Sequence, residues 1–335
     1  MDRYEARFRV HLARQIVRYG RTSCRTSYCT EEEAMTPPDL RVPQHSSPLR
    51  YPGGKSKLTG YVKRIFEENH LIGGHYAEPY AGGASVALGL LFDEYAATIH
   101  INDLDRSIHA FWRSVLDHTD ELCRLIHDAT VTPTYWRRQR AIQDDASAST
   151  LERGFSTFFL NRTNRSGIIT GGMIGGIEQS GHWRLDARYN PDNLVARIER
   201  IARYGDRIRL TRLDASTFLR NRIPLLPERS LVYLDPPYYV KGRHRLYSNY
   251  YEPCDHALIA NLVAGLERPW IVSYDDAPEI RKLYQPHHRL TYGLDYTASE
   301  RYKGAEVMFF CFGLAVPRGR DPVSFGRTAK SVQSA

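Results

Sequence analysis

The chain has 335 residues, of which 42% are hydrophobic and 25% are charged, proportions that are ordinary for a globular protein. This length allows one large core and a smaller second lobe. The sequence has no run of about 18 apolar residues, so it predicts no membrane-spanning helix. Its formal net charge of +8 favours a polyanionic partner such as a nucleic acid, but the charge alone does not identify one.

The first 45 residues differ in character from the rest. Residues 1–45 contain a cluster of three glutamates, several prolines and two of the five cysteines, and we predict a flexible N-terminal extension. They lack the apolar segment of a secretory signal. The cysteines are odd in number and have no metal-ligand spacing, which predicts reduced thiols, no metal site and a cytoplasmic location.

The predicted elements alternate between helices and strands. A helix over 56–70 is followed by a strand over 75–78, a glycine turn, a second helix and a strand over 98–103. After a helix around 108–116 and a long interruption, strands are predicted over 207–213, 230–234, 269–274 and 307–312, with a helix at 255–265. This order predicts an α/β fold, a Rossmann-like sheet with helices on both faces.

Residues 119–205 interrupt the alternation. Helix-like stretches there flank a loop over 161–181 that is rich in Gly, Asn and Arg. The region 118–230 contains 18 Arg and no Lys, and arginine suits forked contacts with phosphate and with guanine edges. A GC-rich coding sequence explains the missing lysine equally well. We therefore predict four parts: an extension over 1–45, a sheet domain over 46–118 and 206–316, an inserted, mainly helical lobe over 119–205 and a flexible tail over 317–335.

An apolar strand over 231–234 leads directly into Asp235-Pro236-Pro237-Tyr238. A carboxylate at the carboxyl edge of a parallel sheet lies where ligands bind in such folds. The two prolines fix the turn and remove two backbone donors. What remains is a carboxylate, carbonyl oxygens and an aromatic ring, which together form an acceptor site for an amine beside a stacking surface. For the tetrapeptide alone, a plain strand-ending turn is the alternative.

Such a site matches the chemistry of adenine's amino group, whose lone pair is delocalised into the ring. Two acceptors that bond both amine hydrogens would pull the nitrogen towards tetrahedral geometry and stabilise the positive charge that develops during transfer. We assign Asp235 and the carbonyl of Pro236 as these acceptors. Tyr238 is expected to stack on a base flipped out of a duplex.

A second motif, Glu78-Pro79-Tyr80-Ala81-Gly82-Gly83, lies at the first strand-to-helix turn. Small residues there let the backbone approach a ligand. The motif is not G-x-G-x-x-G, which argues against NAD or FAD. Asp103 stands at the end of the next strand, where an acidic side chain reaches ribose hydroxyls. The combination fits the adenosyl part of S-adenosylmethionine, and its predicted contacts are Glu78, Tyr80, Gly82 and Asp103.

A third motif, Leu49-Arg50-Tyr51-Pro52-Gly53-Gly54-Lys55-Ser56, ends like a phosphate-binding loop. A P-loop needs a glycine where Leu49 stands, so the motif argues against an ATPase. Lys55, at a helix start with free amides, is expected instead to meet the carboxylate of the cofactor. Asp214, at another strand end, is expected to contact the adenine ring of the cofactor.

Together, these motifs resemble the Dam-type DNA adenine methyltransferases, the alpha group of amino-methyltransferases. The resemblance runs from residue 49 to about 312 and rests, in family order, on the segments 49–55, 78–83, 102–103, 158–162, 235–238 and 301–306. It implies a site-specific enzyme that transfers a methyl group from S-adenosylmethionine to the N6 amine of adenine in double-stranded DNA. It also implies cofactor contacts from Tyr51, Lys55, Asp103 and Asp235, and a target-recognition lobe between the cofactor and catalytic motifs.

The lobe and the segment after the catalytic turn supply the candidate DNA contacts. These are Asn161, Arg162, Asn164, Arg165, His182, Arg184, Lys241 and Arg243, in stretches too polar for a core. A solvated loop is the alternative. The stretch 163–168 departs from the version associated with GATC recognition, so the target sequence is left open. We expect a monomer, and such an enzyme can function beside a restriction endonuclease.

Three alternative functions agree less well with the sequence. Enzymes that methylate RNA or a protein amide more often have Asn at the first position of the tetrapeptide, and those that methylate the N4 amine of cytosine more often have Ser. Asp235 therefore favours adenine in DNA. A catalytically silent DNA-binding relative is disfavoured because Asp235, Tyr238 and Asp103 are all intact.

Overall fold

In a computed structural model of the chain, the described residues are 46–50, 55–240, 251–297, 301–318 and 321–325, without the side chains of 294–297 and 301–304. The predictions for the extension over 1–45, for Tyr51, for Lys241 and Arg243 and for most of the C-terminal tail lie outside these residues. No helix in the described part is long and apolar enough to cross a membrane.

The strands of the described residues form one seven-stranded sheet in the order β3-β2-β1-β4-β5-β7-β6. The five strands β1 to β5 are parallel, and β7 runs antiparallel between β5 and β6. Their bounds are β1 Gly74–Glu78, β2 Ala96–Asn102, β3 Ile208–Thr211, β4 Ser230–Leu234, β5 Trp270–Asp275, β6 His288–Thr297 and β7 Arg301–Phe310. The strand order reverses between β1 and β4, and this opens a crevice at their carboxyl ends.

Ten α-helices lie in the described part of the chain: α1 Thr59–Glu68, α2 Ser85–Phe92, α3 Arg106–Asp117, α4 Thr119–Asp128, α5 Pro133–Asp144, α6 Thr150–Thr163, α7 Pro191–Ala202, α8 Ala215–Asn221, α9 Pro253–Ala264 and α10 Pro278–Leu283. The predicted Rossmann-like α/β fold with helices on both faces is confirmed. The last predicted strand, over 307–312, overlaps the second half of a longer β7, which ends at Phe310. Strand β6 was not predicted. The alternation of apolar Leu290 and Tyr292 with polar Arg289 and Thr291 was the sequence signal for it.

Side chains on β4 alternate between two buried faces. Leu231 and Tyr233 belong to the core that includes side chains of α1, α2, α3 and α6. Val232 and Leu234 belong to the core shared with α8, α9 and α10. Since both faces of the strand are covered, its sequence is a continuous apolar run and does not alternate between apolar and polar residues.

The helices of the predicted insert pack into the core of the sheet domain. Phe158 of α6 and Ile198 of α7 are fully buried in the same cluster as Phe111 of α3, and the rings of Phe111 and Phe158 stack with centroids 6.0 Å apart. A capping box between Ser149 and Glu152 begins α6. The segment is therefore anchored on α3, while its boundaries as a domain stay a prediction.

Gly154 allows the close approach of α6 to α3, and this contact generates a stability prediction. A Cβ atom at Gly154 would lie 2.6 Å from the carbonyl oxygen of Ala110 and closer still to the hydroxyl of Ser114. We expect Gly154→Ala to lower the free energy of unfolding by about 1–3 kcal/mol, because a backbone oxygen cannot move aside. Gly172→Ala is the control, since a Cβ there meets no atom within 4 Å. Equal denaturation midpoints for the two variants would contradict the prediction.

Candidate active site

A cavity of about 200 Å³ lies at the carboxyl ends of β1 to β4. All the predicted catalytic residues line it, and so do all the predicted cofactor residues except Tyr51, which is not described. The set comprises Lys55, Glu78, Tyr80, Gly82, Asp103, Asp214, Asp235, Pro236, Pro237 and Tyr238. The parallel strands bring these residues together because their carboxyl ends share one edge of the sheet.

Asn102, at the end of β2, connects two of the turns that line the cavity. Its buried amide nitrogen donates to the carbonyl oxygens of Pro79, at 3.0 Å, and Leu213, at 2.9 Å. Its amide oxygen accepts the backbone N–H of Leu213 at 2.9 Å. One side chain therefore ties the turn after β1 to the turn after β3, and both turns line the cavity.

The glycine turn is held from two sides. Gly82 has a φ of 46°, a conformation that favours glycine. Its N–H donates to Asp103 Oδ2 at 2.8 Å, and its carbonyl accepts from the indole of Trp112 at 2.9 Å. The other carboxylate oxygen of Asp103 accepts the N–H of Asp105 at 3.0 Å. Asp103 thus shapes the turn as well as facing the cavity.

Burial changes the protonation of two carboxyl groups at this turn. Desolvation raises the pKa of Asp103 to about 7, although its two backbone donors act in the opposite direction. Desolvation also raises the pKa of Glu78 to about 8, where Tyr76 and the N–H of Ala87 donate to the carboxylate at 3.0 and 3.2 Å. A positively charged ligand in the cavity would favour the ionised form of both groups.

The Asp235 carboxylate is oriented by two partners and stays 26% exposed. The hydroxyl of Ser273, on β5, donates to Asp235 Oδ1 at 2.8 Å, and Lys55 Nζ lies 3.2 Å from the same oxygen. Burial raises the pKa of Asp235, while the charge of Lys55 opposes that rise. The result is an acceptor that is fixed on one side and open on the other.

Lys55 is buried between two carboxylates. Its ammonium lies 2.8 Å from Glu306 Oε2, in addition to its contact with Asp235, and it donates to the hydroxyl of Tyr238 at 2.5 Å. Burial lowers the pKa of Lys55, but the two carboxylates outweigh it and raise the pKa overall. The expected contact of Lys55 with the cofactor carboxylate stays a prediction, since protein carboxylates hold its ammonium in this structure.

Glu306, on β7, is fully buried and joins the catalytic turn to the sheet. It accepts from the hydroxyl of Tyr292 at 2.6 Å and from the hydroxyl of Tyr238. The ring of Tyr238 lines the cavity, with the Lys55 ammonium 5.1 Å from its centroid. The network therefore fixes Tyr238 at its hydroxyl end.

Residues 51–297 match the sequence model of the family described as D12 class N6 adenine-specific DNA methyltransferase. The chain belongs to this family. The recognition of a Dam-type adenine methyltransferase from the motifs is thereby confirmed, as is the prediction of an enzyme that acts on the N6 amine of adenine in DNA. S-adenosylmethionine is the methyl donor that this family membership implies.

Several solved methyltransferase structures are distantly similar to the chain. A putative RNA methyltransferase from Pyrococcus horikoshii has 10% identity and a TM-score of 0.38, with 78% of this chain and 85% of that chain covered. An rRNA methyltransferase from Streptomyces viridochromogenes has 12% identity and a TM-score of 0.29, with 76% and 92% covered. None of the curated proteins matches the chain in sequence.

Sequence reasoning missed Ser273 and Asp275. It assigned no role to Glu306, although Glu306 ends the segment 301–306 on which the family resemblance rests. Ser273 and Glu306 hold Asp235 and Lys55, as described above. Asp275, at the end of β5, accepts the N–H groups of Tyr239 and Val240, each at 2.8 Å, and so fixes the chain after the catalytic turn. Ser273 and Asp275 are polar residues within an otherwise apolar strand, which was the signal that could have found them.

The structure corrects the predicted DNA contacts of Asn161 and Asn164. Both side chains are buried, at 1% and 0% exposure. The Asn161 amide donates to the carbonyls of Arg50 and Gly167 at 2.6 and 2.7 Å. The Asn164 amide donates to Ile168 and accepts from an indole N–H. These amides are used to fold the loop, so they present no free groups to DNA.

The remaining candidates for DNA contact are spread over the lobe. Arg165, His182 and Arg184 are exposed, and Arg162 is half-buried; none of the four lines the cavity. Their contacts with DNA stay predictions. Among the described residues, no group of three or more His, Cys, Asp or Glu side chains could hold a metal ion.

The hydrogen bond from Ser273 to Asp235 generates a prediction about pH dependence. The hydroxyl stabilises the ionised carboxylate, so Ser273→Ala should raise the pKa of Asp235. If transfer needs the ionised form, the acid limb of the kcat profile should move to higher pH, by about half a pH unit to one pH unit. Ser147→Ala, which removes an exposed hydroxyl bonded to Asp145, is the control. An unchanged acid limb would show that Asp235 does not set it.

Proposed function

We propose that this chain methylates the N6 amine of an adenine flipped out of duplex DNA, with Asp235 and the carbonyl of Pro236 as the acceptors that bind the amine. The observation that carries the proposal is the Asp235 carboxylate, which is oriented by Ser273 and Lys55 and open to the cavity. Unstacking an adenine costs a few kcal/mol, and a cavity lined by Pro237 and Tyr238 offers the base a new apolar surface.

The cavity fits S-adenosylmethionine in its charges. The ligand carries a sulfonium, an ammonium, a carboxylate and a ribose diol. The cavity is lined by Lys55 and by five acidic residues, Glu78, Asp103, Asp105, Asp214 and Asp235. We propose Asp103 for the ribose hydroxyls, beside the glycine turn that it holds, and Asp214 for the adenine end. Asp214 also caps α8 by accepting from the backbone of Ser216 at 2.9 Å. When bound, S-adenosylmethionine supplies an electrophilic methyl group.

The buried charges next to the amine favour its reaction. Lys55 carries one positive charge, and Asp235 and Glu306 together carry two negative charges, so the three groups sum to one net negative charge. The amine of adenine becomes positive as it forms its new bond. A fixed net negative charge in a partly buried site stabilises that developing charge without reorganisation. Lys55 meanwhile keeps Asp235 ionised and in place.

The remaining proposals concern the setting of the reaction. We propose double-stranded DNA in the cytoplasm as the substrate and a monomer as the active form, and we keep a companion restriction endonuclease as an open option. Methylation of adenine in RNA, or of the N4 amine of cytosine, is an alternative that the substrate test below distinguishes.

The substrate prediction is tested by offering the enzyme labelled S-adenosylmethionine with duplex DNA, single-stranded DNA and RNA of one sequence. We expect label in duplex DNA, released by digestion to nucleosides as N6-methyl-2′-deoxyadenosine. The two acceptors that bind both amine hydrogens favour transfer to an exocyclic amine, and Asp235 at the first position of the tetrapeptide favours adenine over cytosine. Label found in cytosine, or found in RNA and absent from DNA, would overturn the proposal.

The role of Asp235 is tested by Asp235→Asn, which keeps the shape of the side chain and removes its charge. We expect kcat to fall by about a hundredfold to a thousandfold, with DNA binding largely retained. The control is Asp93→Asn, which removes an exposed carboxylate paired with Lys63 and should leave kcat unchanged. Near-normal turnover in Asp235→Asn would refute the assigned role.

Glu306→Gln reduces the net charge of the group formed with Lys55 and Asp235 to zero. It therefore tests whether this negative charge promotes methyl transfer. We expect kcat to fall about tenfold, equivalent to about 1.4 kcal/mol, with the KM for DNA little changed. Glu306 raises the pKa of Asp235, so its loss should move the acid limb to lower pH, opposite to Ser273→Ala. Exposed Glu267→Gln serves as the control. An acid limb of the kcat profile that moves to higher pH would contradict this prediction.

A further inference from the structure

Four arginines gather beside the methyltransferase cavity, and we call Arg50, Arg162, Arg188 and Arg197 the arginine cluster. Arg162 donates to the carbonyls of Arg188 and Pro48, and Arg197 donates to the carbonyl of Ser47, the neighbour of Pro48. Burial, and then the charges of Arg50, Arg197 and Arg188, lower the pKa of Arg162. The charge of Arg188 also lowers the pKa of Arg50, after the larger effect of burial. In the part of the chain that the structure describes, no Asp or Glu forms a salt bridge with any of the four.

The hydrogen bonds of the cluster leave donors unused. Arg162 Nε donates to the carbonyl of Arg188 at 2.8 Å, and Arg197 donates to the carbonyl of Ser47 at 3.0 Å. Carbonyl oxygens satisfy donors but do not neutralise positive charge. Arg50 Nη1 and Arg197 Nε are buried and have no hydrogen-bond partner. Arg188 is exposed and the other three arginines are half-buried. Neighbouring like charges with buried, unsatisfied donors are costly unless an anion accompanies them.

The chemistry of the cluster selects an oxyanion. Guanidinium groups bind phosphate through paired N–H donors, and several together bind it more strongly than one. The edges of the bases carry no formal charge, so they would not balance four cations. For an enzyme whose substrate is DNA, the nearest source of such an anion is the phosphate backbone.

The backbone of Arg50 connects the cluster to the catalytic cavity. Asn161 accepts the N–H of Arg50 at 2.7 Å and donates to its carbonyl at 2.6 Å. A Cβ atom on Gly167, which has a φ of 77°, would lie 2.6 Å from the same carbonyl. Asn161 and Gly167 both line the cavity. The backbone of Arg50 therefore lies against two residues that line the cavity, while its side chain belongs to the cluster.

We propose that the arginine cluster binds one phosphate of the DNA backbone next to the flipped deoxyadenosine and so fixes the strand relative to the cavity. This inference rests on the proposed function and deepens it. Phosphate contacts position a nucleic acid without reading its sequence, so the cluster orients the strand while other groups of the lobe select the site.

The first test measures duplex binding by fluorescence anisotropy over a series of salt concentrations. Arg188→Gln and Arg197→Gln, each with intact folding by thermal unfolding, should bind more weakly and lower the slope of log K against log salt by about 1. Arg188→Lys should retain the slope, because it keeps the charge. The control is Arg281→Gln, whose guanidinium is paired with Asp276. Unchanged slopes in both glutamine variants would overturn the proposal.

The second test replaces single phosphates around the target adenine by uncharged methylphosphonates. Wild type should lose affinity sharply at one position, and Arg197→Gln should lose less there, since part of the contact is already gone. Equal losses in wild type and variant at every position would overturn the proposal. Inorganic phosphate that stabilises wild type as strongly as DNA does would instead indicate a site for the free anion.

Different experimental results would overturn the proposed function and the proposed phosphate site. Adenine methylation with unchanged salt dependence in the variants overturns the arginine cluster and leaves the proposed function intact. A reduced salt slope without methylation of duplex DNA overturns the function and leaves a DNA-binding phosphate site.

Discussion

The buried ammonium of Lys55 is the interaction on which the site depends. It joins the motif before α1 to Asp235 at the end of β4 and to Glu306 on β7. A cation with a single partner would be costly in this position, and two carboxylates with no cation would repel each other. The three charges therefore stabilise one arrangement, in which Asp235 is ionised, oriented and still open to the cavity.

The same site depends on the order of the strands. Since β1 and β4 are neighbours although their helices cover opposite faces, a crevice opens between the turns that follow them. Asn102 and Asp103 then give the crevice its shape, the first by tying two turns together and the second by holding Gly82. The turns that line the cavity thus follow four different strands of one sheet.

The helical segment over 119–205 is part of this design rather than an appended lobe. Its helices share the core with α3, and Asn161 at the end of α6 binds the backbone of Arg50 next to the motif that carries Lys55. The segment is therefore connected by side-chain hydrogen bonds to the motif before α1. Precise placement of a reactive group requires such support from packed elements.

The sequence by itself determined the α/β alternation, the glycine turn with Asp103 and the catalytic turn after an apolar strand. These features are local, because a strand, its turn and the next helix are contiguous in the chain. The tertiary structure alone decided that Glu306 neutralises Lys55, 251 residues away, that Ser273 orients Asp235, and that Asn161 is buried while arginines gather beside it. Such pairs form only when distant segments pack, and no periodicity in the sequence records which segments will meet.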